Sequence, residues 1–90
     1  MKGTERQIAW ADTIIANWDH QIDDVLATAK ARVENKSMPE LWLNIVTASH
    51  EVYKARLNSI NDASKVIAMK NANLGAKMFG DCGKQYDSQQ

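Results

Sequence analysis

The sequence predicts an all-α protein, an elongated helical hairpin or an uneven three-helix bundle with a disordered C-terminal tail. Three observations carry this expectation. Apolar residues recur at steps of three and four over most of the chain. A single proline (Pro39) and four glycines (Gly3, Gly75, Gly80, Gly83) leave long uninterrupted stretches. No apolar–polar alternation is long enough for a strand.

The first helix is expected over residues 4–34. Thr4-Glu5-Arg6-Gln7 reads as a capping box, in which the Thr4 hydroxyl accepts from the Gln7 amide and the Gln7 side chain reaches back. From there Ile8, Ala11, Ile15, Trp18, Ile22, Val25/Leu26, Ala29 and Val33 fall within one third of the helix circumference, over a rod about 45 Å long. Asn35-Lys36-Ser37-Met38 is the clear connection. Ser37-Met38-Pro39-Glu40 reads as a second capping box, with Pro39 in the first turn, where a missing N–H costs least.

The second stripe is Trp42, Val46, Ser49, Tyr53, Leu57, Ile60, Ser64, Ile67, Leu74 and Met78. Its phase continuity favours one helix over residues 39–79. The weak helix formers Asn58-Ser59-Ile60-Asn61-Asp62 favour a break, with Ser59 and Asp62 forming a third capping box. The balance leans to a break or kink. Gly80 is placed to end the helix as its C′ residue, so residues 1–80 are expected to form a single helical domain and residues 81–90 a flexible tail.

At 90 residues and 10.1 kDa the chain is one small domain, near the size at which a core becomes hard to complete alone. Apolar residues make up 44% of it, but twelve of them are alanines, so bulky core-formers are limited. Eleven Lys+Arg balance eleven Asp+Glu, which removes any strong overall attraction to nucleic acid or membrane. No run of apolar residues is long enough for a membrane span, and no secretory h-region is seen at the N-terminus. One cysteine excludes an internal disulfide framework and a Cys-rich zinc site.

The candidate chemistry is thin. His50-Glu51-Val52-Tyr53-Lys54 begins like a zinc-protease helix, but Lys54 stands where a second histidine is required. His20 with Asp23 or Asp24 has the helical spacing of a carboxylate-oriented histidine, a pairing far more often a solvated surface contact. Cys82 sits between glycines and is expected to be exposed and incidental, because the end of a helix does not lower a thiol pKa. Nucleophile-elbow, P-loop and dinucleotide motifs are absent. The expectation is a protein that is not an enzyme, with no catalytic, metal-ligating or cofactor-binding residues and no cofactor.

Aromatic and charged residues are more informative. Trp18 and Trp42 lie on the two stripes and are expected in the core. Trp10 and Ile14 lie about 80–100° from the centre of the first stripe, so either a third helix covers them or they anchor a partner. Residues 1–40 carry seven acidic and five basic groups, whereas residues 41–80 carry two and five. Glu5, Asp12, Asp19 and Asp23 form one row beside the first stripe. The plainer reading is complementary charge along a helix–helix seam; the functional one is an acidic strip offered to a basic partner. Lys54, Arg56, Lys65, Lys70 and Lys77 are too sparse and divided to make a convincing DNA-binding face.

Gly3-Thr4-Glu5-Arg6-Gln7-Ile8-Ala9-Trp10-Ala11 resembles a segment of the form G-[ST]-x-[KR]-Q-I-x-W-A-E found in small proteins of bacterial phages and mobile elements. The likeness covers about ten to fifteen residues of a capped amphipathic helix start. It departs at Asp12, where Glu is usual, and after Ile14, where a basic residue often follows. The resemblance implies a phage or mobile-element origin and a cytoplasmic setting in a bacterial host; it transfers no site. By analogy, such proteins commonly bind a host machine, inhibitors of CRISPR effectors among them. The leading expectation is therefore a non-enzymatic inhibitor of a host protein or nucleoprotein complex, with Glu5, Asp12, Asp19 and Asp23 steering and Trp10 and Ile14 anchoring. An assembly subunit acting through helical self-association is the alternative, and an accessory nucleic-acid-binding protein the third. A homo-oligomer is expected, since a rod of about 45 Å cannot bury its whole stripe against a segment of half that length.

Overall fold

Thr4 accepts a hydrogen bond from the Gln7 amide at 3.2 Å, and the Gln7 side chain accepts from the Thr4 amide at 3.0 Å. The expected capping box is thus formed, and it starts the spine of the molecule. The computed structural model describes residues 1–89. It contains α1 (Glu5–Glu34), α2 (Glu40–Asn58), α3 (Ala63–Ala68) and α4 (Leu74–Ser88), with no strand among the described residues. The fold is all-α, as the periodicity predicts. α1 touches each of the other helices, α2 and α4 also pack together, and α3 lies on α1 alone. The result is a three-helix bundle over part of its length, with extents of 47 × 23 × 19 Å.

The core follows both stripes. Ala11, Trp18, Ile22 and Ala29 of α1 meet Trp42, Val46, Tyr53 and Leu57 of α2. Beyond the break the phase slips by one residue, so that Ala63 and Val66 are buried in place of the expected Ser64 and Ile67.

The connections depart from expectation in three places. The second capping box does not form: Pro39 is the N-cap of α2 and has no side-chain cap. Ser37 is used to end α1 instead. Its amide donates to the Arg32 carbonyl while the Lys36 amide donates to Val33, a Schellman arrangement with Lys36 left-handed at φ 64°. The Ser37 hydroxyl also donates to the Arg32 carbonyl.

The break after Asn58 is real, but Ser59 closes α2 and Asp62 alone caps α3, accepting from the Ser64 amide at 3.1 Å. The N-terminus pins this turn. The Lys2 amide donates to the Asn61 carbonyl at 2.6 Å, and the Ala63 amide donates to the Lys2 carbonyl at 2.8 Å. Gly3 permits the approach: its φ is 140°, and a Cβ there would lie 2.9 Å from that of Ala63.

A second interruption, at Met69–Asn73, was not expected. Asn73 caps α4 through the Ala76 amide, Gln21 of α1 accepts from the Leu74 amide at 3.0 Å, and the Trp18 indole donates to the Ala72 carbonyl at 3.0 Å. The expected tail is corrected as well. Residues 81–88 continue α4, and Gly80 is not a helix end. Cys82 is fully buried, and Phe79 and Tyr86 pack on Trp42 in T-shaped geometry at 5.6 and 5.7 Å between centroids. This packing outweighs about 1 kcal/mol of lost helix propensity at each of Gly80 and Gly83.

Candidate functional site

The acidic row of α1 is divided by its neighbours. Asp19 and Asp23 lie one turn apart and face α2, where His50 and Lys54 are likewise one turn apart. Lys54 Nζ donates to Asp19 Oδ1 at 2.5 Å and lies 3.1 Å from Asp23 Oδ1. His50 Nε2 is 2.7 Å from the same Asp23 oxygen. The hydrogen bonds from His50 and then Lys54 hold the Asp23 carboxyl below its usual value, and that to Asp19 raises Lys54. An ionised carboxylate only accepts, so His50 Nε2 carries the shared proton. These four side chains form a charged seam between α1 and α2, the plainer of the two readings of the row. Lys54 is thereby removed from any basic face. His50 and Lys54 do share a face, as the zinc-protease spacing implies, but they share it around a carboxylate.

Glu5 and Asp12 remain exposed, with no ion pair among the described residues. Asp24, in place of Asp23, takes His20 at 3.5 Å in a solvated i,i+4 contact. Trp10 and Ile14, expected as a pair, part company. Ile14 is buried in the core beneath the bundle surface, so it is no exposed anchor. Trp10 is 48% exposed, with Lys70 Nζ 5.1 Å from its ring centroid. By helical geometry Trp10 lies about 140–180° around α1 from the residues of the acidic row. The sequence-predicted residues therefore make two surfaces, one on each side of the core stripe.

Between α2 and α4 runs an open groove of about 410 Å³. Along it Tyr53 Oη donates to Asp81 Oδ2 at 2.6 Å, and Arg56 sits 5.3 Å from the Tyr53 ring centroid. Burial, followed by the bond to Asp81, pushes the Tyr53 hydroxyl up to about 12. Cys82, expected to be exposed, lies beneath Ser49, and its burial raises the thiol. Such a thiol is a poor nucleophile at neutral pH. Among the described residues no group of three His, Cys, Asp or Glu side chains is arranged to hold a metal ion.

A third feature, missed in the sequence, lies between α3 and the α2–α4 pair. Because α3 packs on α1 alone, a cleft stays open above Trp18, with Ile60, Met69 and Leu74 along it and Arg56, Lys65 and Lys77 at its rim. The signal that would have found it is the closely spaced pair Asn71 and Asn73, weak helix formers that favour caps and turns. No helix among the described residues is long and apolar enough to cross a membrane. No family model, curated protein or solved structure matches this chain.

Proposed function

We propose that this protein is a non-enzymatic binder that occupies a surface of a host macromolecular machine. The observation that carries this reading is Trp10, whose indole is 48% exposed while Trp18 and Trp42 are buried. Leaving half a tryptophan in water forgoes about 2 kcal/mol of transfer free energy, which a partner's surface recovers. An exposed tryptophan beside a cation is also the composition of interface hot spots. Glu5 and Asp12 supply unpaired negative charge on the opposite flank of α1, suited to steering a basic partner. The short resemblance over residues 3–14 supports a phage or mobile-element setting, and on that analogy a CRISPR effector is the first host machine to test.

The test is a pull-down with the tagged chain from a nuclease-treated bacterial lysate containing defence systems, run beside a Trp10→Ser variant. The expected result is a near-stoichiometric protein partner, retained by the wild type and lost with the variant, whose thermal melt is unchanged. Neutralising Glu5 and Asp12 together should slow association with that partner and flatten its salt dependence. A partner held equally well by Trp10→Ser overturns the role of Trp10. Recovery of the chain alone overturns the binder reading in favour of self-association.

A further inference from the structure

We propose that the cleft between α3 and the α2–α4 pair is a docking groove for an acidic amphipathic helix of a partner protein. This site is separate from Trp10 and does not depend on it. The groove consists of two adjoining depressions of about 280 and 190 Å³ that share Trp18, Ile60 and Met69. It exists because α3 has only six residues and rests on α1, tethered by Lys2 at one end and by the Trp18–Ala72 hydrogen bond at the other. The short helix cannot also close against α2 and α4. Leu57, Ile60, Val66 and Leu74 form an apolar floor, and Met69 is 50% exposed at its edge. An unbranched, polarizable methionine at such an edge adapts to different apolar side chains.

The rim identifies the occupant. Arg56, Lys65 and Lys77 surround the floor, and none forms an ion pair among the described residues. Asp62 also lines the groove; its bonds to the Ser64 amide and hydroxyl keep it ionised beside Lys65, and the rim remains net positive. Three unpaired cations around an apolar trough complement a helix that inserts aliphatic side chains at i, i+3/i+4 and i+7 and carries Glu or Asp beside them. A nucleic acid fits less well. Trp18 lines both depressions and Tyr53 one of them, but they are only 3% and 5% exposed, so neither offers an open aromatic face for a base to stack on. A second copy also fits less well. The apolar stripe of α1 packs into its own core, its exposed Trp10 lies on the far side of α1 from Glu5 and Asp12, and Asp19 and Asp23 are engaged with Lys54 and His50.

The experiment uses a displayed library of helix-forming peptides about four turns long. Flanking positions vary among Glu, Gln and Lys, and anchor positions among Leu, Met, Phe and Ala. The library is selected on the wild-type chain alone, and the winners are then measured on an Arg56→Glu/Lys65→Glu/Lys77→Glu variant. The expected winners carry Glu flanks and large apolar anchors at helical spacing. They should shift the methyl resonances of Ile60, Met69 and Leu74, and lose about tenfold or more in affinity on the triple variant and on Met69→Glu. Met69 is an exposed residue at the end of α3, so its variant keeps the binding comparison interpretable if the triple variant is unstable. Winners without Glu enrichment, winners unaffected by both variants, or an empty selection overturn the proposal. So do methyl shifts produced by an oligonucleotide in competition with the peptides, or by raising the chain's own concentration with no peptide present. Trp10→Ser should leave peptide binding intact, so this groove and the Trp10 surface can fail separately.

Discussion

Single residues carry two consequences of the way α1 is closed and paired. Lys36 occupies the left-handed C′ position of a Schellman ending, where a Cβ is disfavoured. Lys36→Gly should stabilise the fold by about 0.5–1 kcal/mol, after allowing for the extra freedom glycine has in the unfolded chain, and chemical denaturation should show a higher midpoint at unchanged slope. Asp23 is different in kind, because its effect depends on pH. Its folded pKa lies below the ordinary value of 3.8, so its contribution is present above that pH and is lost as pH falls through the depressed value. The pair is partly solvated, which limits the contribution to about 1 kcal/mol or less. Thermal melts of Asp23→Asn should therefore fall below wild type at neutral pH and converge with it in strong acid. A constant offset at every pH would show that Asp23 acts through packing alone.

At the scale of the element, α4 presents the clearest conflict between local preference and observed structure. Gly80 and Gly83 weaken it from within, and a Cβ at either would meet nothing within 4 Å. Gly80→Ala and Gly83→Ala should each stabilise by about 1 kcal/mol, read as a rise in melting temperature. Deleting residues 82–90 should do the reverse, because it removes the buried Cys82 and the Tyr86 ring from Trp42. A loss of several degrees in melting temperature is expected, where a mobile tail would leave it unchanged. Spacing did hold a clue to the longer helix. Met78, Cys82 and Tyr86 are four residues apart and continue the stripe through both glycines. Glycine propensity argues the other way, and it is decided only by what Trp42 offers those residues to pack on.

For the whole molecule, α1 is the common partner. α2 and α4 close the bundle on it, and α3 adds a single six-residue element held from one side. A helix of that length has little stability of its own. Native-state hydrogen exchange should therefore be slowest at the buried centre of α1, from Ala11 to Ala29, and fastest among helical amides in α3. Uniform protection across all four helices would contradict this hierarchy. The same one-sided seating leaves the cleft open beside α3, so local stability and the proposed docking groove share one cause. Charge is arranged on this scale too. Among the described residues Glu5 and Asp12 stand unpaired on α1, Lys54 is consumed in the α1–α2 seam, and Arg56, Lys65 and Lys77 gather around the cleft. Balanced net charge thus conceals local fields of opposite sign.

Composition and periodicity determined the all-α class, the extent and cap of α1, the core placement of Trp18 and Trp42, and an interruption after Asn58. These follow from local rules: helical spacing, a capping box, and residues that compete with the helix for backbone hydrogen bonds. Tertiary structure decided the rest, because each remaining choice was between local options of nearly equal energy. Ser37 was suited to open α2 or to close α1, and the left-handed turn at Lys36 took it for α1. Asp19 and Asp23 suited a free strip or a seam, and Lys54 with His50 on α2 made them a seam. Residues 81–88 suited a tail or a helix, and packing of Cys82 into the core and of Tyr86 on Trp42 drew them into a helix. The cleft had only an indirect local signature in Asn71 and Asn73, since it is the space left where α3 meets α1 but neither α2 nor α4.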